Sequence, residues 1–470
     1  MSVDLTTDVK QAKEASSRHY AHFGFRFVTP LALGSTLNPI NSTMISTALA
    51  PIAVAFSASV AQTGWLIAGL YLTSAIAQPT MGRLADLFGP RRVYLISLAL
   101  VAIAGIVGAL APSLAVLVLS RVLLGVGTSG AYPSAMRIFR SQGDRHGMAP
   151  PRVAMGALSF AGIATTAFGP LLGGLLTGSF GWHAIFTINV PLAFLTACLV
   201  TLWVPKDDPR TASFSRLVQE VNLPGVALFS VALILLMTFL MNLDHPLWWT
   251  LPASAAFWIG FVIHSLKRSQ PFVNVRMLAK NLPLTITYLR IMLFLMISYC
   301  VLYGFAQWLE SSAHYSASAA GLMTLPMSIL AGICSLLAAR TRGLKSPFVT
   351  SAVGGLIGCA CLTFIHGDSP IWFVAAAAMF FGIPMGMTST ATQAAIYVQA
   401  PAAEIGTAAG LQRTFAYVGA IFAASLLGIV FGHKPSDSGI HALAIVMGCV
   451  SAFLLIFTFF DRTLPKGSLE

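Results

Sequence analysis

The chain has 470 residues, of which 56% are hydrophobic and only 9% are charged. A typical soluble domain has about 25% charged residues, so this composition excludes a soluble globular protein and indicates a polytopic membrane protein. The formal net charge of +12 would suit a nucleic-acid partner, but most Lys and Arg lie in the termini and in alternate loops, which is the positive-inside pattern. The charge therefore predicts two cytoplasmic termini and no nucleic-acid partner.

Apolar stretches of about 20 residues, the length that crosses a bilayer, predict about fourteen transmembrane helices. The even number agrees with two cytoplasmic termini in a multi-pass protein of a cell membrane, inner or plasma. The first 24 residues are polar and mixed in charge, so no signal peptide is expected. The predicted spans lie at about 28–49, 63–82, 93–111, 114–136, 153–178, 182–204, 222–242, 247–266, 283–306, 319–339, 347–366, 371–396, 405–431 and 440–461.

No loop is long enough to fold alone, which predicts a single all-α membrane domain. Its expected parts are a cytoplasmic N-terminal tail (1–27), an N-terminal six-helix bundle (28–204), cytoplasmic loops with two connecting transmembrane helices (205–282), a C-terminal six-helix bundle (283–461) and a cytoplasmic C-terminal tail (462–470). The segment 339–345 faintly echoes 82–93 but has no acid. The echo favours two pseudo-symmetric bundles with the substrate site between them, near the membrane midplane.

Span 1 is unusually polar in its second half. Polar side chains in hydrocarbon need a partner or a water-filled cavity. They predict a cavity wall that includes Asn38 and Asn41, with simple helix–helix packing as the alternative. In span 2, Trp65 is either an interfacial anchor or a cavity aromatic, and Tyr71 is a further cavity candidate.

A charged segment bounded by glycines, 82–93, separates spans 2 and 3. A loop this short cannot be a solvated domain, so a tight turn at the cytoplasmic membrane face is predicted. Glycines permit backbone angles and close helix approaches that larger residues do not, and Pro90 suits the first turn of the next helix. The candidate gating residues are Gly82, Arg83, Asp86, Gly89, Arg91 and Arg92.

Three arginines lie within predicted spans, and one acid lies near the end of a span. Arg121 is roughly a third to half of the way into span 4, where a charge is costly unless it is solvated or paired. A role in proton relay or anion binding is expected, with a structural contact to span 1 as the alternative. Arg290 and Arg413 either extend to the cytoplasmic face or line the cavity, and Glu310 lies near the outer end of span 9. Because no acid is placed at the midplane, an anionic, zwitterionic or neutral amphipath would suit the cavity better than a lipophilic cation.

Span 5 contains a glycine- and proline-rich motif. Gly169 and Pro170 are expected to kink the helix, and Gly173 and Gly174 to let a neighbouring helix pack closely. The remaining cavity candidates are polar or aromatic residues of other spans: Tyr132, Tyr303, Gln307, Thr388, Gln393 and Tyr417.

Several of these segments resemble signatures of the major facilitator superfamily. The segment 82–93 resembles the loop 2–3 pattern G-x-L-a-D-r-x-G-r-r, and 119–127 resembles R-x-x-q-G-x-g with Leu124 in place of Gln. The segment 168–174 resembles the G-P-x-x-G-G motif of antiporter branches. The segment 41–49 resembles the D-x-T-I-V-N-x-A-L-P motif of fourteen-span drug:proton antiporters, except that Asn41 replaces the acid.

The resemblance implies a major facilitator fold of two six-helix bundles plus two connecting helices, and a functional monomer that works by alternating access. It implies proton-coupled efflux of small amphipathic compounds, drug-like or metabolite. Asp86 would latch the cytoplasmic side by facing the positive N-terminal end of span 13, with Arg83 and Arg91 holding the loop. Because an amide cannot titrate, coupling through position 41 is not carried over. The alternative is an organic-anion or neutral-solute uniporter or symporter.

Other classes of function are disfavoured. The histidines do not form H-x-x-x-H or H-E-x-x-H patterns, so neither an embedded enzyme nor a metal site is expected. No nucleotide-binding loop of the G-x-x-x-x-G-K-[S/T] type is present. The expected partners are a small-molecule substrate, protons and the lipid bilayer, with no cofactor.

Overall fold

A computed structural model describes residues 23–147, 152–207, 222–242, 245–269, 271–341, 343–400 and 405–464. The N-terminal half, defined here as residues 23–207, is helical. Its elements are α1 (Phe25–Met44), a 3-10 turn (Ile45–Thr47), α2 (Leu49–Ala55), α3 (Val60–Phe88), α4 (Pro90–Ala109), α5 (Leu114–His146), α6 (Arg152–Phe180), α7 (Ala184–Thr187) and α8 (Asn189–Trp203).

The C-terminal half, defined as residues 271–464, follows a connecting pair of helices, α9 (Leu223–Met241) and α10 (Thr250–Lys267). Its elements are α11 (Val275–Lys280), α12 (Leu282–Tyr299), a π-helical turn (Cys300–Phe305), α13 (Ala306–Ser311), α14 (Ala317–Met323), α15 (Leu325–Ala339), α16 (Lys345–Leu362), α17 (Ile371–Met379), α18 (Gly382–Gln399), α19 (Ile405–Phe431) and α20 (Asp437–Phe460).

Among the described residues, 11 helical segments are long and apolar enough to cross a membrane. The protein is therefore a multi-pass membrane protein, but the predicted count of fourteen spans is not confirmed. The other three predicted positions are also helical. The span at 28–49 corresponds to α1 together with α2, the span at 153–178 to α6 and the span at 247–266 to α10. The first is broken by polar residues and a 3-10 turn, and the apolar part of α6 is the short Phe168–Phe180.

Each half packs mainly within itself. In the N-terminal half α5 packs against α3 and α4, and α1 packs against α6; in the C-terminal half α12 packs against α19, and α16 against α20. The halves meet along two helix pairs, α3 with α19 and α6 with α14, which are called the seam below. The connecting helices α9 and α10 pack on each other, and α9 also touches α3 and α19.

The predicted tight turn at 82–93 is wrong in its extent. Helix α3 continues to Phe88, and α4 begins at Pro90, so Gly89 is the one residue between them. Its φ of +98° is a conformation that suits glycine. The helix continues because no proline or glycine lies between Gly82 and Gly89 to end it.

Candidate functional site

The polar residues of span 1 fall into two groups. The hydroxyls of Ser35, Ser42, Thr43, Ser46 and Thr47 bond to carbonyls of the preceding turn, which satisfies them within their own segment. Asn41 reaches another helix. Its Nδ2 donates to Asn189 Oδ1 at 2.5 Å, and Asn189 Nδ2 donates to Asn41 Oδ1 at 2.9 Å. The position that resembles a titratable acid is thus a buried amide pair that joins α1 to α8.

Arg121 is almost completely buried, at 1% exposure. Its Nε donates to the Leu66 carbonyl at 2.9 Å, and Nη1 donates to the Asn41 carbonyl at 2.9 Å, so the guanidinium ties α5 to α3 and α1. Nη2 is buried with no hydrogen-bond partner. In the part of the chain that the structure describes, no carboxylate lies within ion-pair distance of Arg121.

Tyrosines connect the two halves next to Arg121. Tyr303 Oη donates to the Ser42 carbonyl at 2.6 Å and lies 2.8 Å from Tyr71 Oη. Tyr303 is in the π-helical turn, a local distortion that often marks functional sites. The Tyr71 ring also lies 5.2 Å from the Tyr299 ring and 5.5 Å from the Tyr417 ring. These four residues are called the tyrosine cluster; Tyr299 is the member that sequence reasoning missed.

Arg413, which precedes Tyr417 by four residues on α19, also contacts the opposite half. Its guanidinium lies 4.6 Å from the centre of the Tyr132 ring of α5, and the side chain is exposed. Nearby, Tyr417 Oη donates to Gln78 Oε1 of α3 at 3.1 Å. Gln78 is a second residue missed from the sequence, because a lone amide in an apolar run gives no signal of its own. Arg121, the tyrosine cluster and Arg413 therefore follow one another at the contact between the halves.

The other predicted cavity residues are dispersed. Asn38 Nδ2 donates to Thr128 Oγ1 at 2.8 Å and to Ser74 Oγ at 3.2 Å, inside the N-terminal half. Gln307 Nε2 donates to the Tyr303 carbonyl at 3.1 Å. Three remaining candidates take no part in the tyrosine contacts described above. Thr388 donates to Ser351 within the C-terminal half, Trp65 is half-buried and Gln393 is exposed.

Arg290 forms a buried ion pair with Asp461, with Nη2 to Oδ2 at 2.5 Å. The guanidinium also lies over the rings of Phe348 and Phe457, at 4.9 and 5.6 Å. All of these partners belong to the C-terminal half. Arg290 therefore stays inside that half and reaches neither the protein surface nor the seam; Asp461, which directly follows the last residue of α20, is its counter-ion.

Glu310 lies in α13, which packs against α2 and the 3-10 turn of the N-terminal half. Its Oε1 is buried and has no hydrogen-bond partner. Two residues earlier, Trp308 Nε1 donates to Asp437 Oδ1 at 2.8 Å, which ties α13 to the start of α20. Glu310 is thus an acid at a contact between the halves, toward the predicted outer face.

The segment around Gly89 is held by a residue from the chain beyond α8. Asp207 accepts hydrogen bonds from the backbone N–H groups of Arg91 and Arg92, at 3.0 and 2.9 Å, and so caps the N-terminus of α4. A Cβ on Gly89 would lie 2.5 Å from Asp207 Oδ2, so a larger residue at position 89 would collide with this carboxylate. Arg91 Nη2 donates to the Thr201 carbonyl at 3.0 Å. Gly82 lies beside Pro133, and the side chains of Arg83 and Asp86 are outside the described residues.

The glycines of α6 permit close contacts on two sides. Added Cβ atoms on Gly169 and Gly173 would collide with Thr43 Oγ1 and the Met44 carbonyl of α1. A Cβ on Gly174 would collide with the Ala317 carbonyl of α14, in the other half. Pro170 lies inside α6 without ending it. The motif therefore contributes both to packing in the N-terminal half and to the seam.

A family model for the Major Facilitator Superfamily matches residues 31–424 and 287–469. This chain belongs to the major facilitator superfamily. The family consists of transporters, which confirms the prediction that the protein is not an enzyme. It also confirms the fold at the level of the superfamily.

Several relatives of this superfamily member are bacterial transporters. It is 32% identical over 430 residues to YwoD, an uncharacterized MFS-type transporter of Bacillus subtilis, covering 90% of this chain and 93% of that protein. It is 28% identical to the tetracenomycin C resistance and export protein of Streptomyces glaucescens, covering 87% and 76%. It is 27% identical to the multidrug efflux pump LfrA of Mycolicibacterium smegmatis, covering 85% and 79%.

Solved structures of the superfamily have the same fold. A bacterial homologue of the human lysosomal transporter Spinster has a TM-score of 0.65 at 16% identity, covering 96% of this chain and 99% of that one. An inward-open structure of the xylose transporter XylE from E. coli has a TM-score of 0.63 at 17% identity, covering 94% and 97%. At such identities the likeness concerns the fold alone.

Proposed function

We propose that this protein is a fourteen-span secondary exporter of small amphipathic compounds, coupled to protons and working by alternating access in a cell membrane with both termini in the cytoplasm. The observation that carries the proposal is the tyrosine cluster. Polar hydroxyls lie between two helical halves, beside a buried arginine of the N-terminal half, and the space between the halves is where transporters of this architecture place their substrate site. The drug-export functions of two relatives support efflux as the direction.

The gating step is proposed at the two ends of the seam. At the cytoplasmic end, Asp86 would face the N-terminus of α19, near Gly406 and Thr407, where the helix dipole attracts a carboxylate. Protonation of Asp86 would weaken this latch. At the other end, the close approach of α6 to α14 at Gly174 would separate when the halves rock.

A second candidate, an organic-anion or neutral-solute uniporter or symporter, is favoured by the Asn41–Asn189 pair. Amide side chains do not titrate, and these two bond to each other and to backbone carbonyls, so this position offers no group that could carry a coupling proton. Coupling, if present, must then use another residue.

Internal pH in proteoliposomes, recorded while a substrate is added outside, tests the proposal. Exchange of external substrate for internal protons makes the interior more alkaline, whereas symport makes it more acidic. We expect the alkaline shift, and we expect it to be lost in Arg121→Ala. Substrate flux without proton movement would contradict the proton-coupled exporter and favour a uniporter. An acid shift would contradict it and favour a symporter. Arg121→Lys, which retains the charge, controls for the folding of the variant.

A further inference from the structure

An arginine lies at each end of the tyrosine cluster, one from each half of the protein. Arg121 lies beside Tyr303, since the two side chains bind the consecutive carbonyls of Asn41 and Ser42. Arg413 lies one helical turn from Tyr417 on α19 and contacts Tyr132 of the N-terminal half. Across the described ranges, no acidic side chain forms a hydrogen bond or an ion pair with a member of this group.

The two arginines are not equivalent. Arg121 is buried and held by two carbonyls, so its position is fixed. The Arg413 side chain is exposed, although it points at a residue of the opposite half. An exposed guanidinium on this face can reach a ligand that enters between the halves. Guanidinium groups bind carboxylates through two parallel hydrogen bonds, and they also stack on aromatic rings.

The rings beside Arg413 come from three helices. Tyr71 belongs to α3, Tyr299 to α12 and Tyr417 to α19, and the Tyr71 ring lies within 5.5 Å of both other rings. These ring–ring contacts cross the seam, so they must part when the halves separate. An aromatic ligand could then replace them with equivalent offset or edge contacts.

We propose that the substrate is an aromatic organic anion, with its negative group on Arg413 and its ring among Tyr71, Tyr299 and Tyr417. This rests on the proposed transport function and names its substrate class. A cation with the same ring would find the same aromatic faces, but Arg413 and Arg121 would repel it. Charge therefore selects between two ligands of the same shape.

The test measures binding to the purified full-length protein by calorimetry. The probes are 2-naphthoate, the neutral 2-naphthol and the cation (2-naphthyl)trimethylammonium. We expect naphthoate to bind at least tenfold more tightly than the cation. Arg413→Gln should weaken naphthoate binding about tenfold and leave the cation unchanged or bound more tightly. Arg340→Gln, which removes a charge at the exposed end of α15, is the matched control and should change neither.

Two further measurements test the same site if Arg413→Gln does not fold. Raising the salt concentration should weaken naphthoate binding to the unmodified protein and leave 2-naphthol unchanged. Tyr417→Ala should weaken all three probes, because each uses the ring. If the unmodified protein bound the cation more tightly than naphthoate, or if the naphthoate affinity of folded Arg413→Gln stayed within twofold of that of the unmodified protein, the inference would be overturned.

Uptake into proteoliposomes separates this inference from the proposed function. Transport of the cation and not of naphthoate would contradict the substrate class and keep the exporter. Binding of naphthoate with the expected Arg413 dependence, but without transport of any probe, would keep the site and contradict the exporter.

Discussion

Tyr303 joins the two halves through one hydroxyl group. The hydroxyl donates its hydrogen to the Ser42 carbonyl at 2.6 Å, so at the 2.8 Å contact Tyr71 must be the donor. Both bonds join the two halves, one donated from each half, and both are buried. They stabilise one arrangement of the halves and must break when the halves move apart.

Tyr303→Phe should therefore shift the equilibrium away from the arrangement seen here. Two neutral hydrogen bonds contribute about 1–3 kcal/mol together, which corresponds to a shift of roughly fivefold or more. Spin labels at Val54 and Lys434, which are exposed and belong to different halves, would report the change as a longer distance distribution. Tyr94→Phe removes a bond to the Pro30 carbonyl within the N-terminal half and should lower stability without changing that distance.

Gly174→Ala should disturb the seam between α6 and α14. The new methyl group would collide with the Ala317 carbonyl, which is backbone and cannot turn away. We expect turnover to fall severalfold, together with a larger separation of the halves. Gly332→Ala is the matched control, since nothing lies within 4 Å of its Cβ position. That control should be neutral or slightly stabilising because alanine favours the helix; equal turnover in the two variants would contradict the prediction.

Asp207→Ala should loosen the N-terminus of α4 beside Gly89. Loss of a capping carboxylate costs roughly 0.5–2 kcal/mol, here at a segment proposed to gate the transporter. We expect slower transport with a substrate affinity that stays within about twofold. Asp144→Asn, a change at the exposed end of α5 on the same side, should leave transport unchanged. A loss of affinity at normal turnover would place Asp207 in substrate binding instead.

Asp461→Asn should lower thermal stability strongly. Removing one partner of a buried ion pair costs about 3–5 kcal/mol, because it leaves the other charge without compensation. Arg290 would be that charge, enclosed by Phe348 and Phe457. The double variant Arg290→Met/Asp461→Asn should recover most of the loss, as measured by thermal unfolding in detergent. A double variant as unstable as the single one would show that the pair is not what stabilises this region.

The same pair gives a pH dependence. Burial alone would raise the pKa of the Asp461 carboxyl, but hydrogen bonds from Thr463 and the Arg290 guanidinium outweigh it and hold the pKa below its usual value. A carboxyl with a lowered pKa contributes stability above its unfolded pKa of about 3.9. That contribution is lost as the pH falls through the folded value. The stability difference between Asp461→Asn and the unmodified protein should therefore be constant at neutral pH and shrink in acid.

Glu310→Gln should remove a dependence of transport on external pH. The charged form of Glu310 has a buried oxygen without a partner, so the packed arrangement of α13 against α2 favours the protonated form. The titratable side chains on the described elements around it are Cys300 and Tyr303, and Asp437 reaches α13 through Trp308. A lower external pH should therefore favour the arrangement in which α13 packs against α2. Glu310→Gln should behave at all pH values as the unmodified protein does in acid, and Asp437→Asn should keep the pH dependence; an unchanged profile in Glu310→Gln would contradict the prediction.

The sequence by itself determined the class of the molecule. Hydropathy and the placement of Lys and Arg are properties of each segment taken alone, because a span must satisfy the bilayer wherever it packs. The motifs around Gly89, Arg121 and Gly174 identified the superfamily for the same reason, since their spacing is local. The charged residues after Gly82 do not end α3, because a helix continues through charged residues when no breaker precedes Gly89.

Only the tertiary structure decided which polar residues meet. Asn41 with Asn189, Tyr71 with Tyr303, Arg290 with Asp461 and Asp207 with the start of α4 are pairs separated by long stretches of chain. Periodicity places a residue on a helix face but does not state which helix faces it. The same limit hid Tyr299 and Gln78, whose significance comes from neighbours on other helices. The charge at the seam follows from the sequence; its position beside three tyrosine rings follows from the fold.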